Sequence, residues 1–253
     1  MSRKVSHSIV NGRVVVGTGG QGLKIDWFST NLGNLHWLDV DESTLEAFYM
    51  LGGTNYGYCA GGYNNPAQGS NRIDKWSFSS DGNATDVGNL TRSVGTSQVA
   101  GCSSSTHGYA AGGYNGGESE VIDKFSTVSD ANATDVGNLA FNVANAAGSS
   151  STDNGYTSGG NDVDDGYIDY IQKFSFSSDG NASDIGNLSR GKATPTGGAS
   201  STTNGYQAGG KIHSGGGVVS VLDIDKYAFA SDGNATDIGD LNEIRTNSAG
   251  AQY

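Results

Sequence analysis

One phrase recurs four times along this chain: a Gly-Tyr pair, a Gly-Gly pair, an Ile-x-Lys-aromatic run, and a turn of the Ser-Asp-Gly-Asn-Ala-Thr-Asp type. Registered on the first residue of the double glycine, the copies fall at Gly61, Gly112, Gly159 and Gly209, in steps of 51, 47 and 50 residues. A unit of this length with several short strands cannot bury an apolar face alone, so neighbouring copies must stack to make a core. That requirement constrains the fold more than any other feature of the sequence.

The third copy shows the strand order. Asn145–Ser150 reads as a short strand of tiny residues, and the polar turn Thr152–Gly155 leads into a second strand ending at Gly159-Gly160. A variable loop, Asn161–Tyr167, precedes an alternating strand, Ile171–Phe176, that sets Gln172, Phe174 and Phe176 on one face. Asp179-Gly180-Asn181 marks a tight turn, and the last strand, Ala182–Leu188, ends in a Gly-Asn-Leu that recurs at Gly88-Asn89-Leu90 and Gly137-Asn138-Leu139. Four antiparallel strands per copy, small residues innermost and rings such as Phe125, Phe174 and Tyr227 further out, describe the blade of a β-propeller. The double glycine suits a backbone course that a Cβ or a negative φ would forbid.

The N-terminal stretch Ser8–Gly20, continued by Ile25-Asp26-Trp27-Phe28 and Gly33-Asn34-Leu35, is a fifth, abbreviated copy without the Ser-Asp-Gly-Asn turn. Strands of the first type number six, near Val5–Val10, Ala47–Leu51, Ser97–Gly101, Asn145–Ser149, Thr196–Ser200 and Thr246–Gln252. The last therefore begins a unit that the chain does not finish, and it is expected to close a ring by pairing into the first blade. The expectation is one all-β domain over residues 1–253: an abbreviated first blade of about 1–44, blades starting near 45, 93, 142 and 192, and a closing strand at 244–253. Closure would remove sheet edges that otherwise invite aggregation.

Charge and composition narrow the function. The net charge of −12, from 14 basic against 26 acidic residues, has no clustered Lys or Arg of the kind a nucleic-acid or anionic membrane surface needs. No run approaches the ~20 apolar residues of a membrane-spanning helix, and the N-terminus lacks the apolar core of a secretory signal. Cys59 and Cys102 form no Cys-x-x-Cys pair and read as small buried thiols in neighbouring blades.

Several motifs invite chemistry that the residues do not complete. Asn83, Asn132, Asn181 and Asn234 fit a glycosylation acceptor pattern, but without a secretory signal a repeated hairpin turn is the favoured reading. The triplet Asp81, Asn83 and Asp86 and its repeats offer oxygen ligands at a spacing calcium tolerates. They lack the further bidentate carboxylate, so Asp and Asn bonding their own turn is the favoured reading. His7, His36, His107 and His213 occupy non-equivalent repeat positions without metal-ligand spacing. No Gly-x-Ser-x-Gly elbow or P-loop occurs, and no catalytic, cofactor or metal residue is assigned. The variable loops are the candidate partner-binding elements, with Tyr63, Asn64, Asn65, Tyr114, Asn115, Asp162, Asp164, Asp165, Tyr167, Tyr170 and His213 as their candidate residues. Equivalent loops of a propeller emerge on one face.

The order of strand, Asn-Gly-type turn, strand ending in Gly-Gly, loop, aromatic strand and final strand resembles a kelch repeat. The stretch from about Gly57 to Leu241, with Ile73, Asp74, Lys75, Phe125, Phe176 and the Asp-x-Asn turns, is similar to kelch-like repeat proteins of marine and cyanobacterial tailed phages. That resemblance implies a five-bladed kelch-like propeller and a non-enzymatic virion structural protein, made in the host cytoplasm and carried on the virion surface. Its implied role is a decoration or knob subunit binding other virion proteins. A fibre-associated adhesin for host cell-surface glycan is the alternative, and a propeller-type polysaccharide lyase or hydrolase a third.

Overall fold

The computed structural model describes backbone strands within residues 7–40, and residues 55–64, 68–92, 98–162, 164, 166–193, 198–214, 216–244 and 246. The chain divides into two compact units, Met1–Gly53 and Thr54–Tyr253. The described secondary structure is all β, in antiparallel sheets.

In the first unit, β1 (His7–Val10) pairs with β2 (Arg13–Val16), and β3 (Leu23–Trp27) with β4 (His36–Val40). The expected first-type strand near Ala47–Leu51 and the closing segment from residue 247 lie outside the described residues.

The second unit holds four larger sheets. Sheet I contains β5 (Tyr56–Ala60), β8 (Arg72–Ser77) and β9 (Thr85–Asn89), with the small hairpin β6 (Tyr63–Asn64) and β7 (Gln68–Gly69) between its first two strands. Sheet II runs β10 (Ala100–Ser103), β11 (His107–Ala111), β12 (Ser119–Ser126) and β13 (Thr134–Val143). Sheet III runs β14 (Ala147–Ser150), β15 (Asn154–Ser158), β18 (Tyr170–Ser175) and β19 (Ser183–Asn187), with β16 (Asn161–Asp162) and β17 (Gly166–Tyr167) as its small hairpin. Sheet IV runs β20 (Gly198–Ser200), β21 (Asn204–Ser214), β22 (Gly217–Ala228) and β23 (Thr236–Asp240). Sheets II to IV thus have the four-stranded meander read from the repeat.

Register explains the Gly-Tyr pair. Gly108 lies opposite Phe125 and Gly155 opposite Phe174, and a Cβ on either glycine would overlap the ring that folds across it. The tyrosine that follows points to the next sheet. Tyr109 of sheet II stacks on Phe176 of the sheet III repeat with centroids 4.8 Å apart, and Tyr156 stacks on Phe229 at 4.7 Å. Tyr58 meets Phe125 in a tilted contact at 5.7 Å, as Tyr109 meets Phe174 at 5.5 Å. Each inter-sheet wedge is therefore filled by one tyrosine from one copy and the aromatic strand of the next, with Ile73, Ile122 and Ile171 fully buried beside them. Such ring pairs contribute about 0.5–1.5 kcal/mol beyond their buried area.

At the opposite side of each sheet the first strands lie close together. A Cβ on Gly148 would fall on the Gly101 carbonyl, and one on Gly198 would fall on that of Gly148. The Ser103 N–H donates to Ser150 Oγ at 2.9 Å, and the Ser150 N–H to Ser200 Oγ at 2.8 Å. Tiny residues are required here, as the sequence implied. The double glycines behave as expected too: Gly112 and Gly113 have φ of 66° and 101°, and Gly159 and Gly160 of 59° and 109°.

Candidate binding face

The segments after the double glycines were read as irregular loops, but the structure folds them into hairpins. Beyond the two small hairpins, Tyr114 bridges Glu118, and β21 and β22 continue as a ribbon whose tip pairs Ser214 with Gly217. Each connects the second and third strands of its sheet, so all lie at equivalent ends. Contacts between neighbouring hairpins show that they share a face. Tyr167 of sheet III stacks on His213 of sheet IV, centroids 4.3 Å apart. The Asn161 side chain donates to Glu118 Oε1 of sheet II at 3.0 Å.

Of the candidate residues, Tyr167 and His213 come together across a sheet boundary. Tyr170 instead stacks on Phe141, at 4.2 Å, beneath the hairpins. Tyr114 is exposed, and the Asn115 N–H closes its own turn on the Gly117 carbonyl at 2.9 Å. Asp162 Oδ1 caps its own hairpin by accepting the Asp164 N–H at 2.8 Å. Asn65, Asp165 and the side chains of Tyr63 and Asn64 lie outside the described residues.

Sequence reasoning missed the amides that join the hairpins to the strands below. The Asn145 side chain donates to Asn161 Oδ1 at 2.8 Å and to Gln98 Oε1 at 3.1 Å. Asn145 and Gln98 both have positive φ, 55° and 61°, a conformation Asn tolerates better than most residues. The ribbon tip adds Val218 and Val219, half exposed on sheet IV.

The Asp-x-Asn turns do something the sequence did not reveal. Asp86, Asp135, Asp184 and Asp237 each cap their own backbone two residues on, as expected of Asx turns. The asparagines instead reach across to the previous sheet. Asn132 Oδ1 accepts the Asn89 N–H, Asn181 Oδ1 the Asn138 N–H and Asn234 Oδ1 the Asn187 N–H, all at 3.0 Å. The following alanines return the bond: Ala133 N–H to Asn89 O, Ala182 N–H to Asn138 O and Ala235 N–H to Asn187 O, at 2.7–2.8 Å. Lys75, Lys124 and Lys173 pair with Asp130, Asp179 and Asp232 of the next sheet's turn. Each of these three turns is a latch that grips the Gly-Asn edge of the sheet before it.

Deeper at the same joints, buried carboxylates meet cations from the preceding linker. Asp123 pairs with Arg92 Nη2 at 3.1 Å and accepts the Thr91 hydroxyl. Lys192, fully buried, lies 2.6 Å from Asp225 as a charge pair and 3.4 Å from Asp223, which Arg190 also reaches. These acids are neutralised structural groups. Among the described residues no cluster of three or more His, Cys, Asp or Glu gathers that could hold a metal. Burial pushes the Cys102 thiol up to about 11 and the Tyr227 hydroxyl far above its ordinary value, while a hydrogen bond to Ser149 at 2.6 Å holds the latter in place.

A cavity of about 440 Å³ lies beside the first strands, with Tyr58, Phe78, Ser103, Thr127 and Ser150 in its wall. Comparison with known proteins adds no family: neither protein-family models nor curated proteins match this chain.

Proposed function

We propose that this protein is a non-enzymatic structural component of a phage virion, a decoration or knob subunit that meets other particle proteins through its hairpin face. The fold that suits this role is a kelch-like propeller of five blades, closed by the C-terminal strand. The observation that carries the reading is the joining of hairpins from different sheets into one surface, by the Tyr167–His213 stack and the Asn161–Glu118 bond. Loops that merely drift have no need of such ties, whereas a partner-binding face gains from being held rigid before contact. Sheets latched at every described joint would hold that face still.

The resemblance to phage kelch-like proteins supplies the virion itself. Gold-labelled antibody against the chain should decorate intact particles, and Tyr167→Ala with His213→Ala should cut its incorporation severalfold while leaving its melting curve nearly unchanged. Unlabelled particles containing no copy of the chain would reject the proposal. A glycan-binding adhesin is the second reading, favoured by the exposed Tyr114 ring on the same face, since sugars stack on exposed aromatic rings. Binding of the intact protein to a glycan array would select it.

A further inference from the structure

The latch is used at three described joints, and the same four sheets leave one copy of each half unused. On sheet I the turn Asp81-Gly82-Asn83-Ala84 is exposed at every residue, and none of the described residues lies within 4 Å of where a Gly82 Cβ would stand. At the far end, every residue of β23 is exposed, and Gly239 likewise has open space where Gly137 and Gly186 meet the next sheet's turn. Gly239 already holds the backbone of an occupied edge, with φ of 144° against 150° at Gly137 and 152° at Gly186. Among the described residues Lys226, the counterpart of Lys75, Lys124 and Lys173, forms no ion pair. Ile238 is 48% exposed, whereas its counterparts Val87, Val136 and Ile185 pack against the apolar clusters.

We infer that the Asp81–Ala84 turn of one copy of this chain latches onto the β23 edge of a second copy. The contact reproduces the three internal joints. Asn83 Oδ1 accepts the Asp240 N–H, the Ala84 N–H donates to the Asp240 carbonyl, Asp81 pairs with Lys226, and Ile238 is covered. The replacement of Asn by Asp at position 240 does not impair the edge, because the internal latches bond the backbone of that residue. Charge fits this pairing, since Asp81 is exposed and Lys226 is, of the four equivalent lysines, the one without an ion pair among the described residues. The first repeat carries no Asp-x-Asn-Ala turn that could grip β23, and its Gly33-Asn34-Leu35 segment lies outside the described residues. The inference does not depend on the virion reading; it competes with ring closure inside one chain, which would cover the same two rims, and it needs only the two exposed halves.

Sedimentation velocity of the full chain across a concentration series tests it. The wild type should self-associate in a concentration-dependent way. Lys226→Asp and Asp81→Lys should each weaken association by about tenfold, because each sets like charges face to face. Mixing the two variants one to one should restore it, since each then offers the half that complements the other. Circular-dichroism melts of both variants show that they remain folded. A wild type that stays monomeric, single variants that associate like wild type, or a mixture that fails to recover would each overturn the inference. So would a disulfide between Asp81→Cys and Lys226→Cys, in a Cys59→Ser background, that forms only within one chain.

Discussion

The joint between sheets II and III and the joint between sheets III and IV share one rim latch but differ underneath. At the second, Lys192 and Arg190 in the linker answer Asp225 and Asp223 on the aromatic strand. At the first, the position equivalent to Asp225 is Gln172, and the linker supplies no cation; the Phe141 backbone N–H donates to Gln172 Oε1 at 2.9 Å instead. The joint between sheets I and II is of the charged kind, with Arg92 facing Asp123. The strand residue and the linker that covers it are therefore matched pair by pair, while the latch above them is left unchanged. Geometry is common to the joints, and the chemistry of burial is local.

The largest effect should come from breaking the charged joint. Lys192→Met leaves two carboxylates in buried positions with only the half-exposed Arg190 nearby, and should cost about 3–5 kcal/mol in urea unfolding. Adding Asp225→Asn should recover most of that loss, because it removes the stranded charge. Transplanting the charge tests the same rule from the other side. Gln172→Asp introduces a carboxylate where the linker has no cation, at a cost of about 3 kcal/mol, and Phe141→Arg in the same chain should return part of it. Equal stability of both single variants to wild type would show that the matching is incidental.

The rim should be far more forgiving. Lys124→Ala removes an ion pair to the largely exposed Asp179 and should cost less than about 1 kcal/mol, with the difference shrinking further in high salt. The two thiols give the smallest signal and extend the comparison to the strands themselves. Cys59 on β5 is exposed, whereas Cys102 on β10 is buried with its Sγ 3.3 Å from the Tyr156 carbonyl. A thiol reagent at pH 8 should modify one group in the native protein and two in denaturant. Cys102 becomes reactive in the folded state only as the pH approaches about 11.

Much of the fold was legible because it is written locally. The double glycines announced a positive φ, the Gly-Tyr pairs lie opposite rings within their own sheet, and the Asp-Gly-Asn run marked a turn. The meander of sheets II to IV follows from these alone. What escaped notice are bonds between copies. Asn138 meets Asn181 across 43 residues, and Lys124 meets Asp179 across 55, spans over which a turn residue and an edge strand show no shared pattern. The asparagine that looked like a glycan acceptor or a calcium ligand is occupied by its neighbour's backbone. The hairpin face was legible only as variable sequence. Its ties run through Asn145, Asn161, Glu118 and Phe141, residues that no motif singles out.

Residue-resolved hydrogen exchange by NMR tests the latch most directly, because the internal joints and the two unused halves sit in one molecule. In dilute monomer the amides of Asn89, Asn138 and Asn187, with those of Ala133, Ala182 and Ala235, should exchange slowly. Those of Ala84 and Asp240, which occupy the same positions without a partner among the described residues, should exchange near the rate of open chain. Uniform fast exchange at all eight sites would contradict the account, because the repeated turn would then be an ornament of each sheet and not the clasp between them.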